Sequence, residues 1–398
     1  MASTFDVAAV REHFPALNQQ QVFMDNAGGS QVLGSVINSI SSYLSTTNVQ
    51  LGATYPIAQK STNAYGRGVE EAAKYINASP SDVVLGPSTT QLFRNLSIAL
   101  SFPPNSEIIL SNLDHEANLA PWVQLAAWKN LTVKWWIPSA SRTNPTLEPA
   151  DLKKLLTPQT RLVCCTHTSN ILGSITDIAA IAETVHTIPG AMLCVDAVAY
   201  APHRPVDVKA FGADFYSFSW YKVYGPHIAM LYASRAAQKD MVSLGHYFKS
   251  GETLEEKLGL AGASYEAVQC LPLVVEYLAS QPWDNIKDHE EKIQKILLDY
   301  LKSRDDVQIY GEPSANPDLR VPVLSFVVKG RSSEGIVTAV EERSNYGIRN
   351  GHFYSKRLCT DVVGIDGDDG VVRVSLLHYN TEEEVKGLVK VLDEVLEK

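Results

Sequence analysis

The clearest statements this sequence makes concern what it has little of. No apolar stretch approaches the roughly 20 residues needed to cross a bilayer. Residues 1–9 lack a basic segment followed by an apolar one, so no secretory signal is visible and a cytoplasmic location is expected. Basic residues never gather into a run longer than a few, and the formal net charge is −10. Such a surface repels phosphate backbones and anionic lipid, so neither nucleic acid nor a membrane is an expected partner. Cysteine is sparse: Cys164, Cys165, Cys194, Cys270 and Cys359 make an odd count with no CxxC pair. Three of them lie in strongly apolar runs, so buried reduced thiols are expected. The sequons at Asn77, Asn95 and Asn130 have no meaning without a secretory route. His115, Glu116, His167, Asp196, His203 and His227 include no close HxxxH or HxH pair, so no metal is expected. Internal repeats and low-complexity segments are also missing.

What is present is a chain of 398 residues, 45% hydrophobic and 20% charged, too long for one simple core. From about Asp82 onward, short apolar runs alternate with helical patterns. Residues 107–110, 132–137, 161–165 and 191–195 read as buried strands. Residues 116–129, 149–156 and 178–186 have helical spacing. Strand, helix, strand in succession predicts right-handed βαβ units and a mostly parallel sheet sandwiched by helices, an α/β architecture. A second region begins near Pro282, with an amphipathic helix over 285–303, strands at 307–310 and 321–328, and helices at 333–342 and 381–397. The expected division is a large domain over 20–284 and a smaller α+β domain over 285–398. The segment 1–19, with a helix near 6–13, is expected to return to the smaller one.

Ligands of parallel sheets bind at the carboxyl ends of the strands. After the strand at 161–165 comes Thr166-His167-Thr168-Ser169-Asn170. After 191–195 comes Asp196. After 214–218 comes Ser219-Trp220-Tyr221-Lys222, then Gly225-Pro226. A carboxylate at one strand end and a lysine at another suit a pyridine cofactor: the acid keeps the ring nitrogen protonated, and the amine forms an imine and moves the Cα proton. Each residue alone has a plainer reading. Asp196 could cap the following helix, and a lysine after a strand is usually a solvated surface group. Ser88-Thr89-Thr90, ahead of a helix over 91–100, looks like an N-cap, and also offers the hydroxyls and free amides a phosphate needs.

The string Tyr216-Ser217-Phe218-Ser219-Trp220-Tyr221-Lys222-Val223-Tyr224-Gly225-Pro226 resembles the lysine motif of class V aminotransferases and cysteine desulfurases, fold-type I pyridoxal 5'-phosphate enzymes. The resemblance runs from Asp25-Asn26-Ala27-Gly28-Gly29 to Arg373-Val374-Ser375 and Tyr379-Asn380-Thr381. It implies that the large domain binds the cofactor, with Lys222 as Schiff-base lysine, Asp196 as pyridinium partner and His115 stacked on the ring. Asn170 is implied near the phenolic oxygen. Ser88, Thr89, Thr90, Ser219 and Tyr221 are implied at the phosphate, with Ser264 reaching the cofactor of a partner subunit. The implied substrate is an amino acid, its carboxylate on Arg373, with Asn26, Gly28, Gly29, Gln50, Arg349 and Tyr354 nearby. The implied assembly is a homodimer with shared active sites.

The departures from the desulfurase pattern bear on the reaction. Residues 347–355 cover the mobile loop that carries a sulfur-attacking cysteine in desulfurases, and Tyr354 stands at that cysteine's place. Cys359 lies five residues on. The glutamine expected three residues after the pyridinium acid is Ala199, and a His-Arg pair is replaced by Gln50 and Leu51. Tyr221 stands where desulfurases usually have histidine, and Ala263 where a threonine contacts the partner's phosphate. With Pro202-His203-Arg204-Pro205-Val206-Asp207-Val208, the chain resembles a fungal desulfurase-like branch of secondary metabolism. That branch includes a decarboxylative aldolase and a loline-pathway enzyme of Mannich-type ring closure, the latter favoured by Thr47–Ala53. The leading expectation is therefore an enzyme of alkaloid-type chemistry that makes a Cα carbanion or quinonoid and forms a carbon–carbon bond. A β-eliminating C–S lyase is the alternative. A transaminase, a metal hydrolase and a non-catalytic scaffold rank below both.

Overall fold

The computed structural model describes residues 5–138, 141–259, 261–365 and 367–397. After a short strand β1 (Val22–Phe23), the chain builds one large sheet from β2 (Val83–Gly86), β3 (Glu107–Ser111), β4 (Thr132–Trp136), β5 (Thr160–Thr166), β6 (Met192–Asp196), β7 (Phe215–Ser219) and β8 (Ala229–Ala233). Their order across the sheet is β2-β8-β7-β6-β5-β3-β4. The pairs from β4 through β3, β5 and β6 to β7 are parallel, while β8 runs antiparallel to both β7 and β2. Both faces are buried. Val163 and Cys165 join one apolar cluster, and Leu162 and Cys164 join the other. That two-sided burial explains why the strands read as continuous apolar runs.

The region expected as one helix over 116–129 is interrupted. A tight turn at Glu116–Asn118 gives way at Leu119, and the α-helix proper is Ala120–Lys129 with Pro121 in its first turn. Proline is preorganised for a helix start and lacks the N–H an interior position would need. Two helices, Gly34–Thr46 and Pro56–Tyr75, flank the 48–55 loop. Neither has a side-chain N-cap to announce it.

Toward the C-terminus, β9 (Val307–Tyr310), β10 (Val323–Val328), β12 (Arg349–Gly351) and β13 (Val371–Ser375) form an antiparallel sheet, and β11 (Tyr346–Gly347) pairs with β1. The expected strand at 321–328 starts later because Pro322 has no ladder N–H. Leu324, Phe326, Val372 and Val374 pack against the long helix Trp283–Lys302 and the last helix Glu382–Leu396. That last helix opens on a reciprocal cap between Thr381 and Glu384. The N-terminal helix Val7–Glu12 touches both regions: Val10 and Phe14 pack with the large cluster, while Arg11 pairs with Glu384 at 2.8 Å. Buried Glu290 of the long helix holds Arg204 at 2.8 Å and His203 at 2.7 Å. The 202–208 string thus serves as an internal strut between the two regions.

Candidate active site

The carboxyl ends of β5, β6 and β7 open onto one pocket. Asp196 ends β6 and lies beside Thr166 of β5 in register. After β7, Ser219 leads into the tight turn Trp220–Lys222. This turn is clamped from outside. Tyr221 O accepts from Ser30 N at 3.1 Å, and Tyr224, held at φ +61°, donates its N–H to Ser30 Oγ at 2.8 Å. Across the pocket, Ser88 caps the helix Thr89–Ala99 by accepting from Gln91 N at 3.1 Å. Thr89 Oγ1 and Ser219 Oγ lie 2.9 Å apart. Ser88, Thr89, Thr90, His115, Asp196 and Lys222 line the same space, together with Asn170, Tyr221 and the small side chain of Ala199. Thr168 also faces it, and its Oγ1 is buried without a protein partner.

The charges are tuned by burial. Burial pushes the Asp196 carboxyl up to about 6, opposed by the Val198 N–H and by Lys222. Burial brings Lys222 down to about 8, helped by Arg373 and opposed by Asp196 and Asp25. His115 falls to about 4, through burial first and then Lys222 and Arg373, so its ring is neutral near pH 7. His115 Nδ1 accepts from Ala117 N at 3.0 Å, which leaves the ring proton on Nε2. Asp114, adjacent in sequence, is buried and pushed up to about 7, chiefly by burial. It accepts from Thr166 N at 3.1 Å and from Asn118 Nδ2 at 2.7 Å, tying the His115 turn to the β5 end. His167 is a core residue stacked on Tyr200 at 3.5 Å, and Tyr221 stacks on His227 at 4.8 Å.

The pocket mouth is assembled from loops and the smaller sheet. Arg373 on β13 is 2% exposed and lies opposite Arg349 on β12. Arg373 Nη2 donates to Asp25 Oδ1 at 2.7 Å and Nη1 to Asn170 O at 3.1 Å, while Nε has no protein partner. Arg349, 56% exposed, reaches Asp25 Oδ2 at 3.5 Å. The Asn170 amide is engaged at both ends, donating to Phe353 O at 2.9 Å and accepting from Ser355 Oγ at 2.9 Å. Gly28 sits where a Cβ would meet Asp25 Oδ2 at 3.0 Å, and Gly29 faces the Tyr221 ring.

Not every expected residue converges. Asn26 turns inward: its Nδ2 donates to Phe23 O, Ser375 O and Asn380 Oδ1, and its Oδ1 accepts from Tyr379, so only its backbone remains near the mouth. Gln50 lies away from this pocket and donates to Tyr265 Oη at 3.0 Å. Ser264 lines a separate apolar cavity with Gly86, Pro87 and Ile228. Tyr354 is 68% exposed, with its ring 5.3 Å from that of His115. Asp25, Asp114 and Phe353 were missed as site residues. Asp25 stands one position before Asn26, but nothing in its neighbours signals a carboxylate between two arginines. All five cysteines are free and buried. Among the described residues, no group of three His, Cys, Asp or Glu could hold a metal ion.

With this geometry in hand, the comparisons with known proteins are direct. Residues 22–388 match the family described as Aminotransferase class-V, and the chain belongs to that family. It is 54% identical over 402 residues to the aminotransferase-like protein FGM3 of Gibberella zeae, covering 99% of this chain and all of that one. It is 41% identical to the cysteine desulfurase-like protein ustD of Aspergillus flavus, over 100% of this chain and 92% of that one. Its structure matches the cysteine desulfurase CsdA of Escherichia coli with a TM-score of 0.87 at 26% identity, covering 99% of each chain.

The protein is therefore an enzyme of the class V aminotransferase and cysteine desulfurase family, with the fold-type I architecture and pyridoxal 5'-phosphate as cofactor. The pocket fits that cofactor: a buried acid, an amine of lowered basicity, a capped helix N-terminus rich in hydroxyls, and a threonine hydroxyl with no protein partner. No described helix is long and apolar enough to cross a membrane.

Proposed function

We propose that this enzyme forms a carbon–carbon bond at or next to Cα of an amino acid, in aldol or Mannich-type chemistry of secondary metabolism. When bound, pyridoxal phosphate supplies an electron sink for a pair released at Cα. Lys222 would hold the cofactor through Nζ and carry the Cα proton, a task suited to an amine whose basicity burial has lowered to about 8. Asp196 would face the ring nitrogen and keep it protonated. Thr89, Thr90 and Ser219 would receive the phosphate, and His115, neutral near pH 7, would cover the ring without adding charge. Arg373 would grip the carboxylate and so decide which Cα bond stands perpendicular to the ring.

The observation that carries this reading is the 352–355 turn. It is pinned by hydrogen bonds from Asn170 and Glu116, and it carries Phe353 and Tyr354, the latter at the position where the sequence resemblance implies a desulfurase's thiol. Cys359 is buried and its thiol pushed up to about 12 by burial, which disfavours the thiolate that a sulfur relay needs. Ala199 lines the pocket with Asp196 and is a smaller, apolar side chain than the glutamine of the desulfurase pattern. Incubation with a panel of amino acids and an added aldehyde should give a coupled product by mass spectrometry, and persulfide labelling after exposure to cysteine should leave residues 347–359 unmodified. Finding only pyruvate, ammonia and a released thiol would replace this reading with the C–S lyase.

The proposed assembly is a homodimer with shared sites. Gln50 and Ser264 lie outside their own subunit's pocket, and Tyr55 and Ile57, beside the 48–55 loop, are exposed apolar groups. Sedimentation should return twice the chain mass; a fully active monomer rules it out.

A further inference from the structure

Phe353 and Tyr354 are consecutive residues with φ of +48° and +59°. Left-handed backbone is disfavoured for bulky side chains and persists only where surroundings over-determine it. Here they do. Phe353 O accepts from Asn170 Nδ2 at 2.9 Å, Tyr354 O accepts from Glu116 N at 2.8 Å, and Tyr354 N donates to His352 Nδ1 at 3.2 Å. The result of this strained arrangement is specific: the Phe353 ring lies on the face of the Arg373 guanidinium, with Cζ 3.6 Å from the ring centroid. Arg349 Cζ is 5.7 Å from the same ring.

We propose that Phe353 is a positioning residue that fixes the plane of Arg373, so that a substrate carboxylate can be received only edge-on. This rests on the reading that Arg373 holds the carboxylate. A guanidinium donates in its own plane, so a ring on its face blocks water without consuming a donor. Asp25 and Asn170 O fix two further points of the same plane, so the remaining Nη protons are those left for a ligand, Nε being buried. The strained turn therefore sets the angle at which the carboxylate, and with it Cα, meets the cofactor. Phe353 acts through Arg373 and need not touch the reacting atoms.

The test titrates holoenzyme with L-alanine and with L-alaninamide, read by the change in cofactor absorbance. Phe353→Leu should weaken L-alanine about 3- to 30-fold, the scale of a lost desolvated cation–π contact. L-alaninamide, which lacks the carboxylate, should change less than about twofold, and Phe353→Tyr, which restores the ring, should bind like wild type. If Phe353→Leu does not fold, Phe353→Met takes its place. Unchanged L-alanine binding in Phe353→Leu, with binding lost in Arg373→Lys, overturns the stacking role and leaves Arg373 in place. Equal weakening of both ligands also overturns it, since that signals a generally disordered pocket. Unchanged binding in Arg373→Lys removes the carboxylate reading itself, and the proposal with it.

Discussion

The two ends of the pocket are built on different principles. The deep end, with Asp196, Ser219 and Lys222, grows out of consecutive strand ends of the large sheet. Its positions follow from backbone register, because Thr166 pairs with Asp196 and Asp196 with Ser217. The mouth, with Asp25, Arg349, Arg373 and Phe353, joins the N-terminal segment, a strained turn and two strands of another sheet. The deep end can therefore stay constant while the mouth varies, which suits a shared cofactor chemistry with a divergent reaction.

Substitutions at the two ends should separate cleanly. The largest effect belongs to the deep end. Lys222→Ala should fold, yet lose the violet-region absorbance of lysine-bound cofactor and all turnover; a wild-type spectrum and rate would sink the assignment. At the mouth, Arg373→Lys should lose about 1.5–3 kcal/mol of transition-state binding, the scale of a charged hydrogen bond, while keeping the cofactor spectrum. Loss of the cofactor in that variant would mean that the two ends are one structural unit.

A finer test uses pH. Only a neutral amine attacks the cofactor aldehyde, and burial with Arg373 nearby lowers Lys222 to about 8. The rate of cofactor reloading into stripped enzyme should rise with pH, with its midpoint near 8. A midpoint near 10.5, the ordinary lysine value, would show that neither burial nor the mouth arginine lowers Lys222. Removing the arginine's charge with Arg373→Gln should move the midpoint to higher pH.

The strand expectations came within a residue or two of β3, β5 and β6 because buried parallel strands leave an apolar signature that needs no partner to be recognised. The helices Gly34–Thr46 and Pro56–Tyr75 went unread: the first is rich in serine, the second carries Gly66 and Gly68 in its interior, and neither has a side-chain cap. The convergence of Lys222, Asp196 and Ser88–Thr90 was legible from strand ends and motif order.

What the sequence by itself determined is the sheet and the residues at its cofactor end, because these depend on local periodicity and on which residue type follows which strand. What only the tertiary structure decided is the mouth. The Asp25 bridge spans 348 positions to Arg373, Asn170 reaches 183 positions to Phe353, and the ring-on-guanidinium contact needs two adjacent residues forced into left-handed backbone. Contacts of that separation leave no local pattern, since each partner is ordinary until the fold brings them together.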